Sequence, residues 1–205
     1  VGLISLMLYL YCRCWRSTAV TVVTCLLTVA CQLGLLHLFG FGLDPYSILV
    51  PFLIFAIGIS HAVQNINLMM SAMGHGATPL VAAQHTFRAL FIPGTTALLA
   101  DAVGFITLLV IDIGVIQQLA ITASIGVFVA IFTKMFLLPV LMSYAGISPR
   151  GLREQEKRAN SSWPIFRRLS AVVEPRVALP LIALSVMLLG VGYYARQDLK
   201  IGDLD

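Results

Sequence analysis

The sequence predicts an all-α polytopic membrane helix bundle of about six transmembrane spans, the first one truncated, with a cytoplasmic interfacial helix. Three observations carry this. Hydrophobic residues make up 59% of the 205 positions and charged residues only 11%, against ~25% charged in a soluble domain. Most apolar runs approach or exceed the ~20 residues that cross a bilayer. Basic residues collect between the runs, with ten of the 13 Lys and Arg in segments 11–17, 73–88 and 143–176. The net charge of +4 therefore speaks for membrane orientation and not for a nucleic-acid partner.

Taken in order, residues 1–11 form an apolar stub, the end of the truncated span, closed by Cys12-Arg13-Cys14-Trp15-Arg16. No formal charge interrupts 17–40, a full span anchored at its start by Trp15 and Arg16, with His37 interfacial at its far end. Asp44-Pro45 supplies an N-cap and an N1 proline for a span over 46–70. A polar connection over 73–88 holds His75, His85 and Arg88, and two histidines ten residues apart in a loop are weak evidence for a metal. The next span, 89–111, has Pro93 in its first turn, where a missing N–H does least harm. Residues 113–142 come next, with Pro139 bending or ending the helix and Lys134 snorkelling to the nearer interface.

Residues 147–176 are a basic linker. In its second part Ile165, Phe166, Leu169, Val172 and Val173 repeat as in a helix lying in the membrane surface. Residues 177–195 are one more span, and 196–205 a polar tail beginning an external domain. The divisions are thus a helix group over 1–146, the linker 147–176, the span 177–195 and the tail. By the positive-inside rule the linker is cytoplasmic. A start at Val1 within an apolar run and an abrupt end at Asp205 suggest an excerpt of a longer chain. Cys12, Cys14, Cys25 and Cys31 have no ligand or disulfide framework and read as small apolar filler; no cofactor is expected.

The 46–70 span carries a polar knot. Ser60, His61, Gln64, Asn65 and Asn67 crowd two turns, and lipid cannot satisfy them, so this face is expected to look inward. Asp101 is the only carboxylate inside an apolar run. With successive spans antiparallel, His61 and Asp101 both fall near the midplane, where they can touch. The plainer readings are a core histidine bonded to a neighbouring helix and a structural carboxylate bonded to hydroxyls. Gly58 lies on the same span as the knot, and Gly94, Ala97 and Gly104 flank Asp101 as a stripe of small residues suited to close helix packing.

A span ending Tyr-Leu-Tyr-x-Arg-x-Trp-Arg, the midspan Gly58-Ile59-Ser60-His61 and the run Thr95-Thr96-Ala97-Leu98-Leu99-Ala100-Asp101-Ala102-Val103-Gly104-Phe105 together resemble the resistance-nodulation-division (RND) superfamily. The hydrophobe-exporter or MMPL-like branch fits best, with a helix group similar to sterol-sensing domains. The resemblance implies a proton-driven permease of the bacterial inner membrane exporting lipid-like or other hydrophobic compounds. Its expected partners are that substrate, protons, membrane lipids, further copies of the chain and periplasmic proteins. Where the superfamily's fourth span has an acid, this chain has Ser60-His61, so proton carriage falls to His61 and Asp101, with Ser60 beside them and Gln64, Asn65 and Asn67 in support. A lipid sensor without transport is the alternative. An intramembrane enzyme is not expected, because an aspartyl protease needs two embedded carboxylates and no His-Glu-x-x-His occurs.

Overall fold

A backbone in hydrocarbon must satisfy its own hydrogen bonds, so apolar runs close into helices. The computed structural model describes residues 1–42, 44–160 and 174–196, and among them every regular element is helical. They are α1 (Gly2–Cys12), α2 (Trp15–Leu38), α3 (Val50–Gly74), α4 (Pro79–Thr107), α5 (Gly114–Phe132), α6 (Leu138–Ala145), α7 (Pro149–Asn160) and α8 (Pro175–Ala195). A 3-10 turn, Ser47–Leu49, leads into α3, and another, Leu108–Val110, extends α4. A π turn, Thr133–Leu137, joins α5 to α6. Five segments are long and apolar enough to span, Trp15–Leu38, Ser47–Gly74, Pro79–Val110, Gly114–Ala145 and Val177–Ala195. Residues 1–157 form one unit; α8, an apolar helix, belongs to a second, over 158–205.

Two junctions result directly from local chemistry. Arg13 takes a left-handed conformation (φ 49°) that ends α1, its N–H donating to Tyr9 O, and extended Cys14 starts α2. Asp44 accepts from the N–H groups of Tyr46 and Ser47 and from the Ser47 hydroxyl, at 2.7, 2.8 and 2.9 Å. The hydrogen bond from the Ser47 backbone N–H is the main reason its carboxyl sits below the ordinary carboxylate range.

The expected connection over 73–88 is largely helix. Pro79 at N1 and the Thr78 cap, which accepts from Val81 N, start α4 early, leaving a turn of 75–78 with Gly76 at φ 90°. His85 and Arg88 therefore lie on α4, and Pro93 sits in mid-helix, not in a first turn. The linker begins as α7. Residues 161–173, with the surface-helix positions Ile165 to Val173, and the tail 197–205 lie outside the described residues.

Inside the first unit the apolar core is in two parts. One gathers Leu8, Ile66, Met69, Leu138 and Met142, and the other Ile54, Leu98, Val127, Ala130 and Met135. Along α3 the two parts are separated by Gly58 and His61, and along α5 to α6 they meet at the π turn, whose Met135 belongs to the second part.

Candidate functional site

The seam between the two apolar parts is polar, and α2 supplies most of it. Ser17, Thr18, Thr21, Thr24, Cys25, Thr28 and Gln32 recur at helical spacing and are all buried. At ~1.5 Å rise per residue this stripe runs about 22 Å, most of the ~30 Å thickness of the hydrocarbon. Thr24 and Thr28 bond back to their own helix, to Thr21 O and Thr24 O. Thr28 also shares a 2.7 Å hydrogen bond with the Thr133 hydroxyl, and Gln32 Nε2 donates to Thr122 O at 3.1 Å. Gln32 reaches that carbonyl because Gly126 leaves room. A β-carbon there would stand 2.6 Å from Gln32 Nε2 and from Ile54 Cγ1.

The π turn meets this stripe and presents three consecutive buried residues to three helices. Thr133 faces Thr28 of α2. Lys134 Nζ donates to Cys25 Sγ at 3.0 Å, with its stem against Gly58 of α3, where an added β-carbon would lie 2.8 Å from Lys134 Cε. Met135 lies over Gly94 of α4, whose added β-carbon would meet Met135 Cε at 2.9 Å. The wide turn has an evident cause. Pro139 cannot donate an N–H and would press on the carbonyl of Met135 in an α-helix, and a π turn just before it relieves both demands.

Lys134 does not snorkel. Its exposure is 0%, and Cys25, which reads from sequence as filler, is its hydrogen-bond partner. No carboxylate pairs with it among the described residues. The amine-thiol and ammonium-thiolate forms of this pair hold the same protons and are both net neutral. One added proton leaves a positive charge in the core, which is costly without a counter-ion.

The polar knot of α3 divides between faces. His61 is half-buried, its Nδ1 3.1 Å from Ile57 O, and its ring points to Gly94. Asn65 is buried and donates to His61 O at 3.1 Å; Asn67 accepts from the Tyr11 hydroxyl of α1 at 2.6 Å. Ser60 and Gln64 are exposed, because they fall two residues and one residue off the stripe of Ile54, Gly58, Ala62 and Asn65 that the bundle covers. The expectation that the whole face looks inward is corrected to that extent.

The structure does not bring His61 and Asp101 together. Asp101 is exposed on α4 and forms no hydrogen bond or ion pair with the described residues. The early start of α4 puts Gly94 near the level of His61, and Asp101 is two turns further along, about 10 Å of helix. The contact line of α4 runs through Gly94, Leu98, Ala102 and Phe105, leaving Ala97, Asp101 and Gly104 on the outer face. Gly104 has open space around it.

A family model described as the MMPL family matches residues 1–179. The chain belongs to the MMPL family. This MMPL protein is a multi-pass membrane protein of the RND transporter type. No curated protein and no solved structure matches it. Within the MMPL helix group, the buried features missed in the sequence are Lys134, its thiol partner and the α2 stripe. The period of Ser, Thr, Cys and Gln across 17–32 was the available signal.

Proposed function

We propose that this MMPL protein is a proton-driven exporter of lipid-like or other hydrophobic compounds in the bacterial inner membrane, with the linker after α6 cytoplasmic. The observation that carries the proposal is Lys134, an ionisable side chain fully buried at the centre of a transporter's helix group, with a thiol as its only hydrogen-bond partner among the described residues. Ionisable groups at such depth are expensive and belong by default to ion or proton pathways. His61, one helix away across Gly58, is the second group able to take a proton. Asp101, with Ser60 on the neighbouring helix, forms the outer part of the relay. An exposed carboxylate within an apolar helix is costly in lipid, which supports further protein covering that face of α4. Adding a proton to the Lys134–Cys25 pair charges the seam between the two apolar parts and favours a rearrangement that admits water or a counter-charge.

The test uses the full-length protein in inside-out vesicles loaded with a pH-sensitive dye and supplied with a fluorescent hydrophobic probe such as N-phenylnaphthylamine. Probe movement that releases protons, and that stops when the pH gradient is collapsed with nigericin, is the expected result. Movement indifferent to the gradient removes proton drive from the proposal. Tight binding of the probe with no movement favours a sensor.

A further inference from the structure

At the other end of the bundle, where α1 turns into α2 and α6 passes to α7, an open cavity of about 660 Å³ is lined by Arg13, Arg16, Arg150 and Arg153, with Tyr9 and Trp15 at its wall. No acidic side chain lines it among the described residues, and none of the four guanidinium groups has a hydrogen bond or ion pair there. The chain is built to gather them. The left-handed Arg13 turns its side chain out between α1 and α2. Ser148 N–H donates to Cys14 Sγ at 3.3 Å, Ser148 Oγ to Arg13 O at 3.4 Å, and Ser17 Oγ to Gly146 O at 3.3 Å. Gly151 sits so close that a β-carbon there would be 2.8 Å from Cys12 O. These contacts fix the start of α7 beside the start of α2, so two helix N-termini open on the same space. At the start of α2 Cys14 accepts from the Ser17 N–H, and at the start of α7 Ser148 Oγ accepts from the Gly151 N–H, so what the α2 terminus offers an anion is its remaining first-turn N–H groups and its positive dipole end.

We infer that this cavity binds the phosphate headgroup of an anionic phospholipid. Four arginines without a partner among the described residues, together with the N-terminus of α2, recognise a phosphate diester through charge and N–H donors. What selects a lipid over a soluble anion is the wall. Tyr9 and Trp15 form an edge-to-face pair with centroids 6.4 Å apart, and Trp15 is 73% exposed, as suits aromatic rings at a membrane interface. The outer face of α1 beside them shows Leu3, Leu6 and Met7, an apolar track for the acyl chains. Basic pockets between spans are the usual seat of such headgroups.

The test is native mass spectrometry of the full-length protein in nanodiscs of phosphatidylcholine with increasing phosphatidylglycerol, repeated in Arg13→Gln/Arg153→Gln and in Arg16→Gln/Arg150→Gln. All four side chains are exposed, so folding is not expected to suffer, and circular dichroism checks it. Wild type should retain phosphatidylglycerol in preference to phosphatidylcholine. Each pair of substitutions should weaken retention about 25-fold, from roughly fivefold per arginine. A photoreactive phosphatidylglycerol should cross-link to the peptide holding Tyr9 and Trp15, and millimolar inorganic phosphate should not displace it. Equal retention in wild type and both variants overturns the assignment. Full displacement by inorganic phosphate, or cross-linking elsewhere, overturns it in favour of a soluble anion or of another lipid site.

Discussion

Replacing Lys134 by Met separates the charge of this side chain from its bulk. Methionine nearly matches the lysine stem, and its terminal methyl takes the place of Cε against Gly58, one atom short of the Nζ that reaches Cys25 Sγ. A buried charge replaced by an isosteric apolar group is often neutral or stabilising by about 1–4 kcal/mol, because the desolvation cost disappears with the charge. Lys134→Ala instead leaves a void among Cys25, Gly58 and Met135, and a large-to-small core change of that kind costs about 2–5 kcal/mol. Thermal unfolding in detergent monitored by circular dichroism should thus rank Met at or above wild type and Ala well below. Proton-coupled probe transport in vesicles should be lost in Lys134→Met despite its stability. Wild-type transport with an unchanged pH profile in the Met variant would make Lys134 a packing residue. A loss of about 3 kcal/mol or more in that variant would show instead that the ammonium stabilises the fold, and the reasoning from desolvation would fail.

The geometry sets four further outcomes. Gly126→Ala should lower stability by about 1–3 kcal/mol through overpacking against Gln32 and Ile54, whereas Gly104→Ala, in open space, should change it by no more than about 1 kcal/mol and in the favourable direction; equal effects in thermal unfolding contradict the close approach. Asp44 has a depressed carboxyl pKa, so its contribution is present above the ordinary carboxylate range and is lost as pH falls through the depressed value; amide exchange at Tyr46 and Ser47 should quicken there in wild type, and Asp44→Asn should remove that acid step. His61→Gln and Asp101→Asn should each fold and insert but transport with an altered pH profile, and wild-type profiles in both would confine proton carriage to other groups. A Glu156→Cys protein should react with an impermeant maleimide only from the cytoplasmic side, and labelling from outside inverts the topology.

The spans were legible because hydrocarbon leaves the backbone few choices, and the cap at Asp44 because its side chain acts within three residues. Harder to read was which face of each span the neighbours cover. His61 and Asn65 differ from Ser60 and Gln64 by one residue, about 100° of rotation, and only the packing of α2 and α5 separates them. Pro79 and Pro93 competed for the start of α4. The Thr78 cap decides for the earlier one, and that decision moves Asp101 away from His61. The burial of Lys134 is not legible from side-chain reach, since a lysine long enough to snorkel can equally be turned inward when the backbone rotates beneath it. The threonines of α2 give a weak signal, because each alone is lipid-tolerant and Thr18, Thr24 and Thr28 bond back to their own helix.

The π turn is also a phase shifter. It holds about one residue more than an α turn, so it offsets α6 from α5 by about 100° around the axis. Ala123, Val127 and Ala130 before it, and Leu138 and Met142 after it, both face inward only because of that offset. Deleting one residue between 133 and 137 would give an unbroken α-helix with both halves in their present phase, whereas forcing α geometry on the full-length segment would swing one half about 100° toward lipid. Chain length and turn type between Ala130 and Leu138 are accordingly tied: a variant one residue shorter should still assemble, now with an unbroken helix, whereas one residue longer would need a still wider turn to keep both halves facing inward.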